Sequence, residues 1–172
     1  MRKLNVKTKT WTKMHDLKKP MVDTQVGNQI KEWTPGRKNH SCAFHPGTNG
    51  NKGYVIVAGG NARFVLRNKG NCKDGCPSEE VLKSTEVYYL DGGSELAGDM
   101  TEKRQNYMLV TDKNKVYALG GSRSTVKNAL LDSVEEWQDL TKTWVKTSWK
   151  LKVPRVHFGA VVVDGKMICP SD

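Results

Sequence analysis

Cys72 and Cys76 stand four positions apart in Asn71-Cys72-Lys73-Asp74-Gly75-Cys76-Pro77, a spacing at which two thiols can share a metal or a disulfide. A zinc site takes about four ligands, and no further Cys or His pair at ligand spacing accompanies them, since His40 and His45 belong to another turn. No metal is therefore expected. A local disulfide is expected if the chain is extracellular and a pair of free thiols if it is cytosolic. Cys42 and Cys169 fall in apolar strands, where they are expected to act as small buried hydrophobes. The histidines His15, His40, His45 and His157 form no ligand cluster, and no nucleophile motif appears. The tyrosines Tyr54, Tyr88, Tyr89, Tyr107 and Tyr117 occupy strand or strand-end positions, and His157, at a strand start, is read as a hydrogen-bonding group of the fold. The sequence thus predicts no catalytic residue and no cofactor. The remaining chemistry is recognition by charge, through Arg63, Phe64, Arg67, Lys69 and Lys73 in one segment and Arg123 and Lys127 in another. Arginine suits paired recognition of carboxylate or phosphate, and Phe64 offers an apolar anchor.

The elements that position these residues come from a repeat. Gly59-Gly60 and Gly120-Gly121 each close a short apolar run, Tyr54 to Ala58 and Val116 to Leu119, and lie 61 residues apart. Each pair is preceded by an arginine, Arg37 or Arg104, and followed by a glutamate with an aromatic ring two places on, Glu86 with Tyr88 and Glu135 with Trp137. A third unit opens at Arg155, 51 residues after Arg104, with three valines at Val161 to Val163. Thr10-Trp11 repeats Thr143-Trp144, so the sequence also starts inside a unit. Runs at Asn39 to Phe44, Val81 to Leu90, Asn106 to Thr111 and Val156 to Val163 are rich in β-branched and aromatic residues and read as strands. Lys113-Asn114 and Asp164-Gly165 read as hairpin turns. No stretch carries a sustained helical period.

Paired glycines, a strand-borne aromatic and a later tryptophan, recurring at a period near 50, resemble the kelch family, in which one unit is one four-stranded propeller blade. The resemblance implies an all-β fold, an incomplete β-propeller of kelch-type four-stranded blades, with about two complete blades and partial blades at both ends. It divides the chain into residues 1–36, the end of a preceding blade plus a basic linker; 37–103, a unit with a long inserted loop at 61–83; 104–154, a second unit; and 155–172, the start of a further one. The glycine pairs would then lie where strands converge on the central channel, Arg37, Arg104 and Arg155 would pair within or between blades, and Tyr88, Trp137, Trp11 and Trp144 would pack the blades. A closed ring takes about four to eight blades, and an offset of 51 places Ser171-Asp172 where a third glycine pair is due. The expected reading is a piece of a longer protein, or a chain that closes its ring by self-association.

The first unit is 67 residues long against 51 for the second, and 12 of the surplus lie between Gly60 and Glu86, between its second and third strands. A further 6 lie between Arg37 and Gly60, around His45 to Asn51. Insertions in repeat proteins map to loops, and long loops on a rigid scaffold are sites of recognition. In the proteins this chain resembles, the loop between strands two and three and the link to the next blade share a face that receives partners. That face would carry the inserted loop, its counterpart Ser122 to Ala129, and the linkers at 16–36 and 150–154.

Net charge is +10, of which residues 1–38 supply +7 from ten cations and three acids. Such a basic end favours acidic partners. No nucleic-acid-binding module is recognisable, no apolar run is long enough to span a bilayer, and the first twenty residues lack the apolar core of a signal peptide. The family resemblance implies a non-catalytic protein-interaction scaffold. Its partner would be actin or another cytoskeletal protein, or a substrate presented to a ubiquitin ligase, in the cytoplasm or on the cytoskeleton with an extracellular location as the alternative. Propeller enzymes of oxidase or sugar-epimerase type are the third possibility the fold leaves open.

Overall fold

The computed structural model describes residues 36–48, 50, 52–65, 78–124 and 129–163 in full, together with the backbone of the remaining strand residues. The chain opens with the hairpin β1 (Arg2–Asn5) and β2 (Thr10–Lys13), then the short strands β3 (Gln25–Val26) and β4 (Gln29–Trp33). There follow β5 (Ser41–His45), β6 (Tyr54–Ala58), β7 (Asn61–Arg67), β8 (Cys76–Val81), β9 (Thr85–Tyr89) and β10 (Ser94–Ala97). A second series runs β11 (Met108–Asp112), β12 (Lys115–Leu119), β13 (Ser133–Gln138) and β14 (Thr143–Lys150), and β15 (Val161–Val163) with β16 (Lys166–Ile168) forms a last hairpin. No helix occurs among the described residues.

Two antiparallel four-stranded blades carry the fold, β5-β6-β9-β10 and β11-β12-β13-β14. Burial follows position in the blade. The second strand β6, Tyr-Val-Ile-Val-Ala, is covered on both faces, and the outermost strand β14 buries only Trp144. This is why the inner strands read as nearly continuous apolar runs and β14 does not. The blades pack face to face, with Tyr54, Ile56, Ala58 and Val87 of the first against Leu109, Val116, Ala118 and Trp137 of the second. On the far side of the second blade, Val110, Tyr117, Leu119 and Val134 pack with Ala160 ahead of β15. The architecture is an incomplete β-propeller.

The first strands of successive units lie beside one another, β5 by β11 and β11 by β15. Just before each strand one residue adopts a left-handed backbone: Asn39 at φ 55°, Asn106 at 52° and His157 at 55°. Asparagine and histidine are among the side chains that tolerate this region best. The turn links the units, because Asn106 N donates to Asn39 O at 3.0 Å and His157 N donates to Asn106 O at 3.1 Å. The backbone of His157 thus makes the link, while its side chain is exposed.

Three expectations change. The run Val81 to Leu90 is broken: Val81 ends β8 and a separate strand, β9, begins at Thr85, because 82–84 turn the chain between two different sheets. The segment 61–83, expected as a loop, contains β7 and β8, and the linker 16–36 contains β3 and β4; these four form one sheet in the order β3-β4-β7-β8. Cys42, expected buried, is exposed, since it lies on the face of β5 turned away from the second blade. Lys113-Asn114 forms the β11–β12 turn. Asp164-Gly165, Cys72, Cys169 and the Cys76 side chain lie outside the described residues.

Candidate functional site

Two copies of one buried polar network explain the repeated arginines and glutamates. Arg104 Nη1 donates to the carbonyls of Gly120 at 2.7 Å and Ser133 at 3.0 Å, Nη2 to Ser133 Oγ at 2.8 Å, and Nε to Glu135 Oε1 at 2.9 Å. Arg37 Nη1 donates to the carbonyls of Gly59 and Ser84, both at 2.9 Å, and Nη2 to Ser84 Oγ at 3.2 Å and Glu86 Oε1 at 2.5 Å. Both ion pairs are fully buried at their side chains. The glycine pairs receive the adjoining unit: Gly60 N donates to Arg104 O at 2.7 Å and Gly121 N to Arg155 O at 2.9 Å. Tyr107 Oη donates to Ala58 O at 2.6 Å across the blade interface, and burial pushes its hydroxyl pKa up. These groups are spent on holding strands together, and none presents a free nucleophile or base.

The extra sheet β3-β4-β7-β8 gathers the expected recognition segment. β7 pairs with β4, with Trp33 opposite Phe64 and Ile30 opposite Arg67, and with β8, with Arg63 opposite Glu79. Arg63 is exposed, and its Nε lies 3.9 Å from Glu79, which Lys38 also reaches at 2.6 Å. Phe64 is only 6% exposed, which removes it as an anchor for a partner. Strand alternation turns Ala62 and Phe64 inward and Arg63 outward. Arg123 is exposed on the loop between β12 and β13, 3.9 Å from Glu102. Lys103 reaches Glu80 at 2.6 Å on the same side. Lys69, Lys73 and Lys127 lie outside the described residues, as does the side chain of Arg67. The surface is therefore a mosaic of cations and the acids Glu79, Glu80 and Glu102.

A second concavity lies at the other end of the strands. A cavity of about 390 Å³ between the blades is lined by Lys52, Tyr54, Tyr89, Asp91, Asp139, Leu140 and Lys142. Trp137 Nε1 donates to Tyr54 Oη at 2.9 Å, and Tyr54 Oη and Thr48 Oγ1 both donate to Asp139. His45 stacks on Tyr54 with ring centroids 4.8 Å apart. Lys142 Nζ sits 5.2 Å from the Tyr54 ring centre and 4.8 Å from that of Tyr89, a cation–π arrangement, and reaches Glu95 at 2.8 Å. Burial and the bond to Asp139 push the Tyr54 hydroxyl pKa up, so it acts as a proton donor and not as a phenolate. Burial opposes the charge of Lys142, but its bonds to Glu95 and Tyr89 outweigh it and raise its pKa. Both residues join one blade to the next.

Burial likewise works against ionised Asp139, yet the bonds from Thr48 and Tyr54 hold its carboxyl below the ordinary value of 3.8. Folding therefore favours its charged form. The stabilisation is complete above the unfolded pKa and is lost as pH falls through the lower folded one. Denaturant midpoints recorded from about pH 6 downward are expected to drop below roughly pH 4. In Asp139→Asn this part of the drop should flatten, and an unchanged pH profile would contradict the assignment.

The kelch motif family model matches residues 104–148, the span from the buried arginine into β14. That span is a kelch repeat. Among 107 solved chains that match, the structure of YjhT aligns with a TM-score of 0.57 at 12% identity, over 77% of this chain and 43% of that one. That likeness shows the fold, and the chain spans less than half the length of the YjhT chain. No curated protein matches the sequence. Within the kelch frame, the tyrosine–lysine cleft escaped the sequence reading because its members share no period: Tyr54 and Asp139 lie 85 residues apart. The one usable sign was that Asp139 to Lys142 forms the turn between the third and fourth strands, where the 45–54 turn of the previous unit comes close.

Proposed function

We propose that this kelch-repeat protein is a non-catalytic interaction scaffold that takes an acidic protein partner on the face carrying the β3-β4-β7-β8 sheet. One observation carries the reading. The linker 16–36 and the inserted segment 61–83 pair with each other into a sheet of their own, with Arg63 exposed on its inner strand β7. An elaboration added to a repeat scaffold on the side of its strand-joining loops is where such scaffolds recognise partners. Exposed arginines there suit carboxylates, and the neighbouring glutamates restrict which acidic surfaces fit. Actin filaments, or an acidic substrate of a ubiquitin ligase, meet this description.

Co-sedimentation with actin filaments tests the first. Binding is expected to weaken with salt, and to fall at least about tenfold in a variant combining Arg63→Glu, Arg67→Glu, Arg123→Glu and Lys127→Glu. Reversing Lys52 and Lys113, on the opposite side, should leave it unchanged. Equal loss from both sets would reduce the effect to net charge and sink the proposed face. Absence of binding by the wild type would remove actin as the partner.

A further inference from the structure

Glu102, in the link between the two whole blades, is where the polar network of the second blade reaches the surface. Its Oε2 is spent inside, where Ser133 Oγ donates to it and Arg104 Nη2 lies 3.2 Å away. Its Oε1 faces two exposed cations, Lys146 Nζ at 3.7 Å and Arg123 Nη2 at 3.9 Å, both beyond hydrogen-bond reach. Elsewhere on this face the acids are closed by a cation at contact distance, Glu79 by Lys38 and Glu80 by Lys103, each at 2.6 Å. Burial opposes the charge of Glu102, but the bond from Ser133 and the charges of Arg104, Lys146 and Arg123 outweigh it and hold its pKa below the ordinary value. Arg123 and Lys146 thus gather around an ionised carboxylate without spending an N–H on it.

Comparison of the repeats shows that the fold does not need this trio. Two places before the unit arginines Arg37, Arg104 and Arg155 stand Pro35, Glu102 and Val153. Two places after the glycine pairs stand Ala62 and Arg123. Opposite the buried glutamates stand Leu96, paired with Glu86, and Lys146, paired with Glu135. The Arg37–Glu86 pair forms at 2.5 Å in the unit whose three corresponding residues are all uncharged. Glu102, Arg123 and Lys146 come from three separate segments, the β10–β11 link, the β12–β13 loop and β14, and they converge in the second unit. Charges that the repeat architecture leaves free to vary are available for recognition.

Charge decides what fits there. Arg104, Arg123 and Lys146 face two carboxylates, Glu102 and Glu135, which leaves one positive charge unmatched in the cluster. We propose that Arg123 and Lys146 seat a single carboxylate of a protein partner, an aspartate or glutamate side chain, with Glu102 gathering the two cations to one place. The inference rests on the reading of an acidic partner on this face and names the group recognised. Arg123 offers a planar fork that matches both carboxylate oxygens, and Lys146 adds a point charge beside it. A phosphate, with close to two charges at neutral pH, would exceed the one charge available and set its excess against Glu102. The Arg123 and Lys146 side chains are 60% and 50% exposed, so the seat contributes modestly and weakens with salt.

Titration of the 172-residue chain with a hexaglutamate peptide blocked at both ends, followed by nitrogen–proton NMR, is expected to shift the Arg123 Nε–H and the Lys146 amide saturably. Arg123→Gln and Lys146→Gln should each weaken binding about two- to fivefold. Lys115→Gln, which removes a comparably exposed lysine at the other end of the blade, should leave it unchanged. Equal loss from Lys115→Gln would reduce the effect to net charge and overturn the seat. Loss in Arg63→Gln without loss in Arg123→Gln or Lys146→Gln overturns the seat and leaves the acidic-partner face standing. No binding by the wild type overturns the seat, and co-sedimentation with filaments then decides the face on its own. Tighter binding after one glutamate of the peptide is replaced by phosphoserine overturns the assignment to a carboxylate.

Discussion

Arg104→Met is expected to destabilise the protein by about 3–5 kcal/mol, measured as the shift in urea midpoint at unchanged slope. The magnitude follows from what is left behind. The Arg104 side chain is fully buried, and so is that of Glu135, which would remain as a buried carboxylate bonded, among the described residues, only by the backbone amides of Thr101 at 2.6 Å and Glu102 at 3.3 Å. The carbonyls of Gly120 and Ser133 would each lose a charged donor. Against a total stability of roughly 5–15 kcal/mol for an ordinary domain, this is enough to populate the unfolded state. Lys115→Met, which removes the exposed partner of Glu136, should cost no more than about 1 kcal/mol. The double variant Arg104→Met with Glu135→Leu separates two causes. If the orphaned carboxylate dominates, the double variant is more stable than Arg104→Met alone; if the lost carbonyl donors dominate, it is no better.

The same network explains which parts of the fold were legible in the sequence. Arg37, Arg104, Glu86, Glu135 and the glycine pairs recur because one geometric problem recurs: each blade must satisfy the carbonyls where its second strand ends and its third begins. A local solution repeated in space leaves a repeated pattern in sequence. The extra sheet left none. β4 and β7 pair across more than thirty positions of sequence, and long-range strand pairing is set by the partner as much as by the segment itself. Its one local sign was the alternation of Ala62, Arg63 and Phe64, which places the ring inside and the guanidinium outside. The exposure of Cys42 was equally illegible, because the apolar composition of β5 predicts a covered strand, while which face is covered depends on the adjoining blade.

Gly60→Ala is expected to cost about 2–4 kcal/mol, from backbone strain and overpacking together. Gly60 adopts φ +83°, and a Cβ there would lie 2.5 Å from Lys38 O and 2.8 Å from His40 Cβ. Neither obstacle is the far end of a flexible side chain. Lys38 is held by its paired bonds with Asn61, its N donating at 3.0 Å and its O accepting at 2.8 Å. Gly60 cannot move away either, because its N donates to Arg104 O and its O accepts from Leu82 N, both at 2.7 Å. Gly36 provides the control: its φ is +96°, yet a Cβ there meets nothing within 4 Å. Gly36→Ala should therefore show the strain alone, about 1–2 kcal/mol. The excess in Gly60→Ala measures how closely the first blade's second strand approaches the backbone entering its own first strand. Equal losses at the two positions would mean that Lys38 yields. The Gly60–Arg104 bond would then be a looser joint between blades than its geometry implies.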